Sequence, residues 1–386
     1  MGAFHFSKNK NKDSEPKGSH AREKSKGDSA PRGSIEASVS IERNDLDVIP
    51  VEKRTEGKLA TCDGLYPHEV LVLSYADKYF DTDTEFQGFW WHQYGIKDVQ
   101  AILQSLAAQG FIERGTIADA VHAGKLPAIK EELKKRNLKV SGKKEDLAER
   151  LVEAVPEDEL SLIFSKRPYS VTESGAEILK KYEWIPYIHS HRIEDLDIWN
   201  LTEMVQTQPY LKYRDKIWGY LNNKSMDHAR AGDYGLYRNT RFAMSEFVLE
   251  EGKTDIAFQL LCEVIAYDLS GVGNNFDPKY FYIEAAHFFP YEESNVTIAP
   301  GITSRISRYS KELGYDDPVV RKTVAEKIGK LSLPYQLFTP GECGDIVLAE
   351  RDGDKEKLSK IYKEAEKRFN NTELGKKVQK LRQDKW

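Results

Sequence analysis

Leu126 to Ala154 reads LPAIKEELKKRNLKVSGKKEDLAERLVEA. The spacing predicts two short helices separated by Lys139-Val140-Ser141-Gly142-Lys143-Lys144. In the first, Ile129 and Leu133 fall four apart on one face, with Leu126 and Leu138 at its ends. In the second, Leu147 and Leu151 repeat that spacing. These six apolar side chains are enough to close a small two-helix core. Asn137 is a residue type that tolerates the left-handed conformation ending a helix, and Ser141-Gly142 then reverses the chain. Residues 125–155 hold nine Lys/Arg against six Asp/Glu, a net +3, within a chain whose 57 Lys/Arg and 62 Asp/Glu leave it at −5.

A turn with free backbone N–H groups at a helix N-terminus is a seat for a phosphate. Here that turn is Ser141-Gly142, with Lys143 and Lys144 adding charge. Lys135, Arg136, Lys139 and Arg150 are the candidates for gripping neighbouring phosphates. The competing reading is a charged, solvated hairpin that binds protein or nothing. The stretch resembles the SAP domain, through EELKKR (Glu131 to Arg136), Leu138, SGKK (Ser141 to Lys144) and DLAERL (Asp146 to Leu151). Asn137 stands where that family usually carries glycine. The resemblance implies a compact helix–turn–helix module associated with duplex DNA and with chromatin or nucleoid. Phosphate contacts of this kind position a protein on DNA and carry little base information.

The flanks make a second pattern. Pro67 to Phe80 (PHEVLVLSYADKYF) spaces Val70, Leu73, Ala76 and Phe80 as a helix opening on proline. Phe86 to Trp91 reads as an aromatic turn. Ile96 to Gln109 predicts a second helix burying Val99, Ile102, Leu103 and Leu106, closed by Gly110 and followed by a strand-like Phe111-Ile112-Glu113. Arg167 to Tyr182 (RPYSVTESGAEILKKY) predicts a strand, a turn and a helix capped by Thr172 or Ser174. The Gly110-Phe111-Ile112 end and the run Tyr169 to Gly175 resemble the two wing strands of bacterial winged-helix proteins. Here about fifty residues, the SAP-like stretch among them, lie between those strands. The expectation is that 111–115 pairs antiparallel with 168–172 and that the module sits at the hairpin tip, where insertions are well tolerated. The exposed face of 96–109 would offer Lys97, Gln100, Gln104 and Ser105. Glutamine pairs with adenine edges in a major groove. The set is poor in Arg and Lys, so a structural or partner-binding role competes with DNA docking.

Lys8 to Arg32 is Lys, Ser, Gly, Pro and Asp with almost nothing to bury, and such a segment does not offset its ordering entropy. Residues 1–33 carry eight Lys/Arg against four Asp/Glu, which suits a solvated tail or a phosphate-touching arm. From Trp199 onward the pattern is mostly helical. Arg241–Glu250 and Thr254–Tyr267 flank Glu251-Gly252-Lys253 as a helical hairpin. It resembles one tetratricopeptide unit, with no second clean copy at a period near 34. A further helix is expected over Lys355–Phe369, followed by a basic end (Lys376, Lys377, Lys380, Arg382, Lys385). The expected architecture is therefore mainly α. Residues 1–58 form a disordered tail. Residues 59–117 and 165–198 form a winged helix-turn-helix with the SAP-like module, 118–164, inserted in its wing. Residues 199–386 form an all-α, TPR-like C-terminal domain.

Nothing in the chain spells a catalytic site. Three distant cysteines (Cys62, Cys262, Cys343) exclude a disulfide framework and a CxxC zinc site. Cys343 reads as a loop cysteine without a histidine partner. His189-Ser190-His191 would put two ligands on one face if it were a strand, but no third ligand completes a set. Gly271-Val272-Gly273-Asn274-Asn275 lacks the lysine of a phosphate loop and reads as a turn. Trp90, Trp91, Trp184, Trp199 and Trp218 read as core. No apolar run reaches the roughly 18 residues of a membrane helix. The start, MGAFHFSKNKNK, has no signal-peptide core, and Phe6 stands where a myristoylation signal wants Ser or Thr. These readings lead to an expectation of a non-catalytic, cofactor-free, cytoplasmic protein whose partner is duplex DNA, nucleoid-associated if so. A protein partner or self-association would use the C-terminal domain, and no membrane is involved. The tail-plus-SAP arrangement resembles SAP-containing proteins of Gram-positive bacteria and their mobile elements. The rival is an interaction scaffold without DNA.

Overall fold

The computed structural model describes residues 48–270, 272 and 298–383. The fold is mainly helical, with one two-stranded sheet among the described residues. The first helix, α1 (Val51–Thr55), lies inside the segment expected to be tail. Val51 is buried in the main core, and its N–H donates to the Gly95 carbonyl at 3.0 Å, so the folded chain begins ahead of residue 59. The rest of the expected tail lies outside the described residues. The helix expected over 67–80 is divided: α2 (Pro67–Leu73) ends at Ser74, and a 3₁₀ turn covers Ala76–Lys78. The aromatic segment is partly a helix, α3 (Phe89–Tyr94), ended by Gly95 at φ +70°. α4 (Val99–Ala108) is capped by Asp98, whose carboxylate accepts the Ala101 N–H at 2.8 Å, and buries Val99, Leu103 and Leu106.

β1 (Ile112–Arg114) then pairs antiparallel with β2 (Tyr169–Val171), in the register Ile112↔Val171, Glu113↔Ser170, Arg114↔Tyr169. The pairing expected across the insertion is present. A single antiparallel bridge joins Phe80 to Pro168, so a third chain segment borders the sheet. The ends of the insertion are locked together: Gly115 N–H donates to Pro168 O at 2.7 Å, and Asp81 accepts from both the Arg167 N–H and the Arg114 guanidinium.

Between the strands lie four helices rather than two: α5 (Ile117–Ala123), α6 (Leu126–Lys135), α7 (Lys144–Ala154) and α8 (Glu157–Ile163). They close an apolar core of their own. Ile129, Leu133, Leu147 and Leu151 meet Ile117, Val121, Ala148, Val155 and Leu160 there. Leu126 is exposed, so the outer helices fill the place that the two-helix reading gave to it.

β2 feeds α9 (Glu173–Lys181) through Thr172, whose Oγ1 accepts the Gly175 N–H at 3.2 Å. A Cβ at Gly175 would stand 2.1 Å from the Phe111 carbonyl oxygen, so only glycine lets α9 seat against the strand. α10 (Trp184–His191) and α11 (Ile198–Thr207) follow, then α12 (Tyr213–Ala231). The hairpin expected around Gly252 is α13 (Tyr234–Leu249) with α14 (Thr254–Ser270), and Gly252 has φ +72°. α15 (Pro300–Leu313), α16 (Asp317–Ile328), α17 (Pro340–Asp352), α18 (Lys355–Asn370) and α19 (Glu373–Gln383) complete the chain. One apolar cluster runs from Val51 to Val378, so the core is continuous across the boundary drawn at 198/199. Bidentate pairs Arg238–Asp268, Arg241–Glu263 and Arg305–Glu246 stitch α13 to α14 and α15.

Candidate nucleic-acid interface

α6 ends where Asn137 turns left-handed, at φ +55°, and the Leu138 N–H returns to the Leu133 carbonyl at 2.8 Å. Gly142, at φ +139°, redirects the chain into α7. The N-terminus of α7 is already partly occupied: Asp146 accepts the Lys143 N–H at 3.2 Å. With Glu145 this places two carboxylates in the first turn, where they favour the helix dipole and compete with an incoming phosphate. The expected anion seat is therefore narrower than the sequence suggests.

The basic side chains divide into two sets. Lys135 is held by Glu131 at 3.1 Å and Glu132 at 2.7 Å. Arg136 donates to the Glu132 carboxylate at 2.6 Å and also pairs with Glu159 of α8. The Lys135 and Arg136 hydrogen bonds hold the Glu132 carboxyl below the usual carboxylate range. Arg150 donates to the Lys139 carbonyl at 2.6 Å and so clips the turn onto α7. These three cations serve the fold of the module. Lys139, Ser141, Gly142 and Lys143 are exposed and Lys144 half-exposed, and the three lysines form no ion pair among the described residues. Lys125, just ahead of α6, and Lys130 and Lys134 on it are exposed and equally without an ion pair there. They are part of the net +3 of residues 125–155. Their i, i+4 spacing at 130 and 134, away from Ile129 and Leu133, was the available signal.

On α4 the outcome is mixed. Gln100 points inward: its Nε2 donates to Asp81 O at 3.1 Å and to Tyr169 Oη at 3.2 Å, tying the helix to the sheet. The reading of Gln100 as an exposed base-reading residue is corrected on that ground. Gln104 is exposed, and Lys97 stands 5.0 Å from the Trp91 ring centroid.

The chemical candidates also resolve. His189-Ser190-His191 closes a helix, not a strand, so its two rings point in different directions. His189 lies between the hydroxyls of Tyr75 (2.8 Å) and Tyr94 (2.6 Å), while His191 contacts the Tyr187 carbonyl and Glu250. Cys343 is on α17, not in a loop, and burial pushes its thiol up to about 12. Cys62 and Cys262 are buried too and raised to about 11 and about 12. Trp90 is core. Most of Gly271–Asn275 lies outside the described residues. No cluster of three His, Cys, Asp or Glu suited to a metal occurs among the described residues, and no helix there is long and apolar enough to cross a membrane.

The family model of the SAP domain matches residues 125–156, which spans α6, the turn and α7. The SAP domain is a DNA-binding module, so the match supports a DNA-associating role. No curated protein and no solved structure matches the chain.

Proposed function

We propose that this chain is a non-catalytic protein that binds duplex DNA, mainly through phosphate contacts of the SAP module. The flanks are read as a winged helix, with α2, α3 and α4 as its helices and β1 and β2 as its wing. The Phe80–Pro168 bridge supports that reading by giving the sheet a third border. The helical C-terminal half serves a protein partner or self-association, in a bacterial cytoplasm. The observation that carries the proposal is the SAP match falling on a turn whose Lys139, Lys143 and Lys144 are exposed and without an ion pair among the described residues. Binding of this kind is weak and sequence-tolerant. Its log affinity should fall with log salt by about 0.9 for each phosphate neutralised. A Lys143→Glu/Lys144→Glu variant should lose most duplex retention in low-salt gel shifts. Retention equal to the parent protein's would show that this turn is not the contact. The inward Gln100 favours a second reading for α4, as a partner-binding rather than base-reading helix.

A further inference from the structure

The strongest basic concentration in the chain is not the SAP module. Residues 355–383 carry ten Lys/Arg against four Asp/Glu, a net +6, while the rest of the chain holds 47 against 58. This segment is the consecutive helix pair α18–α19. The turn between them is tight, since a Cβ at Gly375 would lie 1.9 Å from the Phe369 carbonyl oxygen, and Thr372 caps α19 by accepting the Gly375 N–H at 3.0 Å. α18 buries Leu358, Tyr362, Ala365 and Phe369. Lys360, Lys363 and Lys367 follow at i, i+3 and i+7 on the opposite, exposed side, a row about 10 Å long. On α19, Lys376 and Lys380 repeat the i, i+4 spacing beside buried Val378.

The four acids of the segment, Glu356, Glu364, Glu366 and Glu373, offset its ten Lys/Arg only in part, and exposed Glu364 lies along the lysine row. Glu356 is taken by Lys360 at 2.7 Å and Glu373 by Lys376 at 3.1 Å. Arg368 and Lys357 are turned to Glu342 and Asp345 of α17. Lys363, Lys367 and Lys380 remain exposed with no ion pair among the described residues. Both signs mix at i, i+4 here, as in Glu356 with Lys360, and the excess of cations over acids is left on the solvent side.

We infer that the α18–α19 pair is a second phosphate-contacting surface for duplex DNA, separate in the chain from the SAP module. The inference rests on the DNA-binding reading above for its choice of polyanion. Lysines in a row, without an Arg fork or an aromatic platform, suit backbone contact rather than base reading. In a protein whose remainder is acidic in sum, such a patch favours approach of DNA to this face alongside the SAP module.

The test compares full-length protein, a Lys363→Glu/Lys367→Glu/Lys380→Glu variant and the Lys143→Glu/Lys144→Glu variant by duplex titration at several salt concentrations. Circular dichroism serves as a control for folding. All three α18–α19 positions are exposed, so the triple variant should keep its helicity and melting midpoint. It should bind more weakly, with the slope of log affinity against log salt shallower by up to about 3. Unchanged affinity and slope would overturn the inference and leave the SAP reading standing. Weakening by the triple variant with none from the SAP-turn variant would support the inference and overturn the SAP contact. If the parent protein retains no duplex at low salt, both fall. Polyglutamate is the competing probe: loss of its binding by the triple variant, with duplex binding intact, would reassign the surface to an acidic protein partner and overturn the inference.

Discussion

Asn137 shows how a single residue can decide a turn. At φ +55° it occupies a conformation that costs most L-residues about 1–2 kcal/mol, and asparagine tolerates it better than the others. Asn137→Gly should therefore leave the melting midpoint unchanged or raise it. Asn137→Val should destabilise the module by at least about 1 kcal/mol. Equal melting curves for the two variants would contradict this account. His68 is a second decisive residue. It is buried between Tyr66 and Trp199, its Nδ1 lacks a hydrogen-bond partner among the described residues, and burial lowers its pKa from 6.5 to about 4. Between pH 4 and 6.5 the unfolded chain therefore takes up a proton that the folded chain refuses, and stability falls as pH drops through that window. The shift corresponds to about 3 kcal/mol. His68→Phe should make the acid side of the stability profile shallower in urea titrations at pH 4.5 and 7.5. His189, lowered first by its own burial, adds a smaller effect of the same sign that the variant retains. An unaltered profile would remove His68 from the explanation.

At the level of elements, the pairing of β1 with β2 was legible because each strand carries its own local signature. Gly110-Phe111-Ile112 closes a helix, and Thr172 with Gly175 opens the next one. The reason for the second signature is physical: Thr172 caps α9, and a side chain at Gly175 would strike Phe111. Apolar spacing also fixed the positions of α6 and α7. It did not reveal that α5 and α8 complete their core, because Ile117, Val121, Val155 and Leu160 lie in segments too short to show a period. Nor did it show which cations were already engaged. Arg136 and Arg150 look identical to Lys139 and Lys143 in sequence, and only the fold places Glu132, Glu159 and the Lys139 carbonyl beside them. His189–His191 left strand and helix open, because period two and period 3.6 cannot be told apart over three residues, and the chain is helical there. The separate core of α5–α8 leads to an expectation for deletion. Removing 116–166 and joining Gly115 to Arg167 through a short Gly-containing turn should leave a folded, helical protein, since those ends are already hydrogen-bonded neighbours. It should also lose most of the duplex binding that the SAP module supplies. A deletion protein without cooperative melting would mean that the module supports the remaining core.

For the whole molecule, the described residues carry two basic segments, 125–155 and 355–383, within a chain that is otherwise acidic in sum. Outside 125–155 and 355–383 the chain holds 38 Lys/Arg against 52 Asp/Glu. Such a balance disfavours non-specific adhesion of that remainder to DNA, so charge favours the basic segments in the approach to the duplex. The way the SAP module is attached adds a mechanical constraint. A domain on one linker swivels about it; this module enters on β1 and leaves on β2, and the two stems are bonded to each other at Gly115 and Pro168. Two parallel tethers transmit torque as well as tension. A duplex gripped by the turn at 139–144 would thus be held at a set angle to the body, like a tool in a vice rather than a float on a line. Time-resolved anisotropy makes this measurable, because the native cysteines at 62, 262 and 343 are buried and a cysteine introduced at Lys130 would take a dye selectively. The dye should report the slow tumbling of the whole chain, and a dominant fast component belonging to a fifty-residue body would show that the module turns on its own.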